Sequence, residues 1–228
     1  MIYYTDYLFF ALLGVMVIGF IAQASVQSAF NKYSKVQARS GKPAHQVASE
    51  LLGKYAGDVS LQPVGGRLTD HYNPRTDTVG LSQSVYNGTS VAALAVAAHE
   101  IGHVMQYKEG YVPIRIRNTI LPVASFGSSI APWLVFIGFF MGVIDLMWVG
   151  IILYSAVLLF QLVTLPVEFN ASARAIAMLS QSGYIDYYEE EGARKVLKAA
   201  ATTYVVAALA SAITLLRFFV IMNSRRRN

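Results

Sequence analysis

Between Asn118 and Val167 the sequence contains a single charged residue, Asp145. A continuous helix of those roughly fifty residues would measure about 75 Å, more than twice the roughly 30 Å hydrocarbon core of a bilayer. The stretch therefore reads as two crossings, at 120–142 and 146–166. A turn around Gly142 to Asp145 joins them, and Trp148 serves as an interfacial anchor. Two further apolar runs are long enough to span, at 7–27 and 199–222. Arg217 stands near the end of the last and can snorkel to the head groups. Ala22-Gln23-Ala24 has the look of a signal-peptide cleavage site, but the run before it is too long and has no basic leader, so it is read as a span. Only 14% of the 228 residues are charged and none is Cys. That composition excludes disordered, coiled-coil and disulfide-scaffold classes.

The net charge of +5 does not point to nucleic acid, because the basic residues lie in the polar segments flanking the apolar runs. Lys32, Lys35, Arg39 and Lys42 follow the first span, Arg115 and Arg117 precede the second, and Arg194, Lys195 and Lys198 precede the fourth. The positive-inside bias then assigns 28–118 and 167–198 to the cytoplasmic side. Arg225, Arg226 and Arg227 run against that bias if the last helix crosses fully, and the expectation is that the other loops outvote them.

The polar segment 28–118 is long enough for a small domain. Pro43 can open a helix whose one face carries Ala44, Val47, Ala48, Leu51, Leu52 and Tyr55, ending at Gly57-Asp58. Val59, Leu61 and the run Leu68 to Tyr72 read as strands, and Asn73-Pro74 with Asp77 turns the chain into Thr78 to Ser82 as a hairpin. Asn87, Gly88, Thr89 and Ser90 offer caps for an Ala-rich helix over 90–107.

That helix carries His99-Glu100-Ile101-Gly102-His103. Histidines at i and i+4 project from one face, so both imidazoles can converge on one ion, while Glu100 is placed to act on water. A catalytic zinc takes three protein ligands and leaves one position open. For the third ligand the sequence offers His45, His71, Glu168, Asp186 and Glu189 to Glu191. Glu168 stands out because it closes a chargeless span, where an unpartnered carboxylate is costly. Pro166 is expected to start a helix there, with Glu168 in its first turn. His45 reads as plain surface, and Glu189 to Glu191 as a solvated face.

Three segments carry a family likeness: Leu68 to Arg75, Ala97 to His103, and Leu165 to Ala175. With them the chain resembles, over nearly its whole length, the YugP-type neutral zinc metallopeptidases of bacteria. It is more distantly similar to the HtpX and CAAX-prenyl-protease type of membrane gluzincin. The resemblance implies Zn2+ held by His99, His103 and Glu168, with Glu100 as catalytic base. It also implies an α-helical membrane protein of about four transmembrane helices with a small α+β zincin-like cytoplasmic domain. One position departs from the HtpX pattern, in which an Asp four residues after the ligand Glu helps orient a ligand His. Ser172 stands there, so support for the ligands falls to Ser172, Asn170 or a backbone carbonyl.

The expected activity is hydrolysis of peptide bonds near the cytoplasmic face of a bacterial inner membrane, with Glu100 moving the proton. The substrates expected are membrane proteins or their juxtamembrane tails. Candidates for stabilising the oxyanion are His71, Tyr72, Arg174 and Tyr184, and Thr78 to Ser82 is the expected sheet edge for an extended substrate. Small residues in the fourth span permit an oligomer or a partner membrane subunit. The competing class is a non-catalytic zinc-binding membrane scaffold, which would have no use for Glu100 and would normally close its site with four ligands.

Overall fold

A computed structural model describes residues 2–226, with the side chains of 2–6 and 226 left out. Asp6 and Arg226 are thus described by backbone only, and Arg227 lies outside the described residues. The element order is α1 (Ile2–Tyr33), α2 (Ala44–Tyr55), β1 (Ser60–Val64), β2 (His71–Asn73), β3 (Thr78–Ser82), α3 (Gln83–Tyr86), α4 (Val91–Lys108), α5 (Val112–Met141), α6 (Ile144–Gln181) and α7 (Tyr187–Arg226). Four of these, α1 and α5 to α7, are long and apolar enough to cross a membrane.

The chain divides into two compact units. The first comprises residues 1–22, 112–166 and 202–228. Its surface reverses the pattern of a water-soluble domain, since Phe20, Trp133 and Phe140 are each more than 60% exposed. Lipid is the solvent such a surface suits. Helices α5 and α6 approach closely through small residues: a Cβ on Gly127 would lie 2.6 Å from the Leu153 carbonyl oxygen, and one on Gly150 would lie 2.9 Å from that of Ala131. Gly142, at φ +74°, makes the turn between them, and the Val143 amide donates back to Gly138. This is the turn the sequence places there. Arg225 reaches this turn, its guanidinium lying over the Phe139 ring and against Gly142. The last helix therefore ends beside the α5–α6 turn. Arg217 does not snorkel freely, because its guanidinium lies over Phe9 and its Nε is buried.

The second unit comprises residues 23–111 and 167–201. Its core is built around α4, whose Ala92, Ala93, Leu94, Ala95, Ala97, Ala98 and Ile101 are all essentially inaccessible. A helix rich in Ala can be surrounded, because its narrow cross-section lets neighbours close on several sides at once. Leu51 and Val47 of α2, Val79 and Leu81 of β3, and Leu179 of α6 fill in around it. The Ser90 hydroxyl caps α4 by accepting from the Ala93 amide at 3.2 Å.

The sheet order is β1-β3-β2, with β1 parallel and β2 antiparallel to β3. The β2–β3 hairpin agrees with the sequence reading, but the edge assignment does not. Thr78 to Ser82 form the central strand, buried at every residue, and the open edges belong to β1 and β2. The near-continuous apolar and small character of Thr78 to Ser82 is what a strand covered on both sides requires. Pro166 also opens no new helix. It lies inside α6, which runs unbroken from the first unit into the second. The backbone acceptor that Pro166 deprives of its amide lies at Leu162, within the apolar stretch where helix neighbours tolerate proline.

Candidate metal centre

His99 and His103 stand one turn apart on α4, their ring centroids 4.7 Å from each other. Glu168 comes from α6. Its Oε2 lies 3.3 Å from His99 Nε2 and 3.7 Å from His103 Nε2. All three ligand atoms fall within 4.8 Å of one another. Tetrahedral ligands about 2.0–2.2 Å from one zinc ion stand roughly 3.3–3.6 Å apart, so the two nitrogens and the oxygen fit that ion. Glu168 is only 4% exposed, and a carboxylate so buried needs a partner for its charge.

Gly102 makes this meeting geometrically allowed. A Cβ there would sit 2.6 Å from the Ala171 carbonyl oxygen and 3.1 Å from its Cα. Only a residue without a side chain lets α4 approach α6 so closely, and that approach brings Glu168 to the histidines.

Each histidine is held from behind. The Ser172 hydroxyl lies 3.2 Å from His99 Nδ1, and Gln106 Oε1 lies 3.0 Å from His103 Nδ1. Both contacts leave Nε2 facing the Glu168 carboxylate. Gln106 is completely buried, and the sequence reading does not include it. Its signal was available: an amide three residues after His103 shares that residue's face of the helix.

Glu100 is buried beside the two histidines. Burial pushes its carboxyl above the ordinary range, with His99 and His103 opposing that rise and the Asp70 and Glu168 carboxylates adding to it. Burial works against a charge on His103, yet its contact with Glu168 and the fields of Glu100 and Glu168 raise it overall. Asp70, which accepts from the Ser82 amide at 2.7 Å and hydroxyl at 3.1 Å, is itself raised by burial despite those bonds.

The remaining candidates have other partners. Arg174 grips Glu109 through Nη1 and Nη2 at 2.8 and 2.7 Å, and its Nε donates to Asn170 at 2.8 Å. All three of its nitrogens are thus engaged. The Tyr72 hydroxyl donates to Asp77 at 2.6 Å and that of Tyr184 to Glu50 at 2.5 Å. His71 is exposed on β2 and is not a member of the metal-ligand group. Its Nδ1 lies 2.9 Å from the Thr69 carbonyl, so Nε2 is the ring nitrogen it keeps for another partner. His45 is no plain surface residue, since it stacks on Tyr86 at 4.6 Å and its Nδ1 donates to that residue's carbonyl at 2.8 Å. Within the acidic run, Glu190 accepts from Ser180 and Arg194 and so is more than a solvated face.

A family model described as "Putative neutral zinc metallopeptidase" matches residues 8–223. The chain belongs to this family. It is also 47% identical over 223 residues to a protein of Bacillus subtilis (strain 168) called "Putative membrane protease YugP", covering 96% of this chain and 98% of that one. No solved structure matches. Family membership agrees with the chemistry of the two imidazoles and one carboxylate in making zinc the metal, and with the four apolar helices in making this a membrane protein.

Proposed function

We propose that this protein is a membrane-embedded zinc endopeptidase of gluzincin type, with His99, His103 and Glu168 as ligands and Glu100 as catalytic base. The observation that carries the reading is the convergence of His99 Nε2, His103 Nε2 and Glu168 Oε2 at 3.3 and 3.7 Å beside a buried carboxylate. Zinc, when bound, supplies Lewis-acid polarisation of the scissile carbonyl and lowers the pKa of a water toward about 7. Glu100 takes the proton that water loses and returns it to the leaving amine. Its burial favours this task, because a carboxylate whose proton affinity is raised is a better base and a carrier for the proton afterwards.

The substrate is held in extended form along the open edge of β2, where main-chain hydrogen bonds fix the backbone and leave side-chain preference weak. His71 on that strand is not assigned as the donor to the developing oxyanion, because its Nδ1 proton goes to the Thr69 carbonyl and the neutral ring then offers Nε2 only as an acceptor. Glu168 follows the first unit's last residue on α6 by two positions, and the basic residues cluster in the segments of the second unit. Both facts support a site at the cytoplasmic face of a bacterial inner membrane and substrates that are membrane proteins or their juxtamembrane tails. A non-catalytic zinc scaffold is disfavoured by the three-ligand set, which leaves one coordination position open.

The test is a pair of substitutions in the purified protein. Glu100→Gln is expected to keep one zinc per chain and lose hydrolysis of casein or a membrane-protein substrate. Glu168→Ala is expected to lose the zinc. Undiminished proteolysis by Glu100→Gln would overturn the assignment of the base, and full zinc occupancy in Glu168→Ala would remove that residue from the site.

A further inference from the structure

We propose that Arg174, Asn170 and Gln106 form a positioning relay that dictates which nitrogen of His103 carries the proton, holding Nε2 ready for the metal. The inference rests on the reading of His103 as a zinc ligand. It follows from which groups can only donate and which can only accept. Arg174 Nε is a donor under all conditions, so the Asn170 atom 2.8 Å from it is the amide oxygen, Oδ1. That same oxygen lies 3.0 Å from the Gln106 side-chain amide, so the Gln106 atom facing it is Nε2. The Val167 carbonyl, which can only accept, lies 2.7 Å from the same Nε2 and requires the same orientation. Both protons of the Gln106 amide are thereby used.

What Gln106 turns toward His103 is therefore its oxygen, 3.0 Å from Nδ1. An amide oxygen cannot donate, so Nδ1 must hold a proton, and the neutral ring that binds metal then presents its lone pair at Nε2. Amide orientations are ordinarily ambiguous between oxygen and nitrogen, but here the guanidinium at one end and the backbone carbonyl at the other remove the ambiguity. Arg174 is itself fixed by its two-pronged grip on Glu109, so the chain of constraints begins at an ion pair near the surface and ends at a half-buried imidazole.

Among the described residues, His99 has no such device. Its Nδ1 meets the Ser172 hydroxyl at 3.2 Å, and a hydroxyl can donate or accept, so that contact steadies the ring without choosing its tautomer. The two ligands are thus held differently: His103 through Gln106, Asn170 and Arg174, and His99 through Ser172. Arg174 touches neither histidine, which makes it a positioning residue.

The experiment is a double-mutant cycle on zinc affinity, measured on the detergent-solubilised full chain by competition with a chromophoric chelator. Gln106→Ala is expected to weaken zinc binding by roughly 10–100-fold, the usual cost of losing an outer partner of a ligand histidine, and Arg174→Ala by about tenfold. In the double variant the relay requires no further loss beyond Gln106→Ala alone, whereas the effects of Arg174→Ala and Ser172→Ala should multiply. Nitrogen-15 spectra of histidine-labelled protein give a second readout, and with 4 histidines in the chain the signals can be assigned by substitution. The zinc-loaded wild type should show His103 protonated at Nδ1, and Asn170→Ala should bring that proton into faster exchange with water.

An unchanged zinc affinity in Arg174→Ala overturns the relay. So does a loss that multiplies with that of Gln106→Ala, because a merely structural Arg174 would act independently of Gln106. Arg174→Lys, which cannot reproduce the fork, should not restore affinity. Failure of the wild type to bind zinc, or retention of zinc by His103→Ala, would instead overturn the ligand assignment on which the relay stands.

Discussion

Replacing Gly102 by Ala adds one methyl group at the point where α4 and α6 are closest. The new Cβ would lie 2.6 Å from the Ala171 carbonyl oxygen, whereas ordinary contact begins at 3.4 Å. The obstacle is backbone, so it cannot rotate aside, and the helices must part locally by about 0.8 Å because packed interiors do not compress. Zinc sites tolerate ligand displacements of only about 0.2 Å. Glu168 is borne on the helix that must move and both histidines on the other, so the set should lose zinc affinity by about 10–100-fold. The zinc-free protein should lose no more than about 2 kcal/mol of stability. Overpacking costs about 1–3 kcal/mol, and removing a glycine from a helix interior returns about 1 kcal/mol. The assay compares chelator competition for zinc with thermal unfolding of the zinc-free protein. Gly53→Ala is the control: Gly53 is exposed on α2 with nothing within 4 Å of its Cβ position, so that variant should be stabilised by about 0.4–1 kcal/mol with unaltered zinc binding. If Gly102→Ala bound zinc within twofold of the wild type, the close approach would not be what assembles the site.

Ser90→Ala removes the hydroxyl that caps α4 and should destabilise the protein by about 1 kcal/mol, seen as a fall of roughly 2–4 °C in the melting temperature. Glu50 accepts from Lys42 at 2.7 and 2.8 Å and from Tyr184 at 2.5 Å, and these bonds, with Lys42 first, hold its carboxyl below 4.5. A group whose folded pKa is depressed contributes stability that is present above its unfolded value and lost as pH falls through its folded one. Glu50→Gln should therefore destabilise the protein at pH 7 by less than about 1 kcal/mol, given the exposure of the pair, and the difference should vanish on acidification below pH 4.5. A difference that persisted or grew in acid would refute the assignment. The partner hydroxyl of Tyr184, pushed up to about 12 by burial and by Glu50, stays a donor throughout that range.

The four long apolar helices, the α5–α6 turn at Gly142, the capped Ala-rich helix and the pair of histidines on it were all legible in the chain. Each follows from a local rule: hydrocarbon thickness, a left-handed glycine, a serine before an apolar run, a spacing of four. Glu168 was legible as well, because a lone carboxylate at the end of a chargeless stretch is costly without a partner. Its convergence with His99 and His103, some seventy residues away, was a matter of tertiary packing, and the glycine that permits it looks unremarkable in sequence. The order of the three strands was likewise decided by the fold. Local pattern identified Thr78 to Ser82 as a strand but could not say that β1 would pair with its other side and leave β2 as an edge. Pro166 misleads a local reading because proline ordinarily marks a helix start, whereas in a long apolar helix it can be carried through. The partners of His45, Tyr72, Arg174 and Tyr184 were invisible for the same reason as Gln106: a side chain's hydrogen bonds depend on what the fold brings opposite it. Sequence alone thus determined which residues could bind metal and which stretches suit lipid, since both are properties of composition and short-range spacing. Only the tertiary structure decided how those residues meet and which way each imidazole faces, because both depend on long-range contacts that no local pattern encodes.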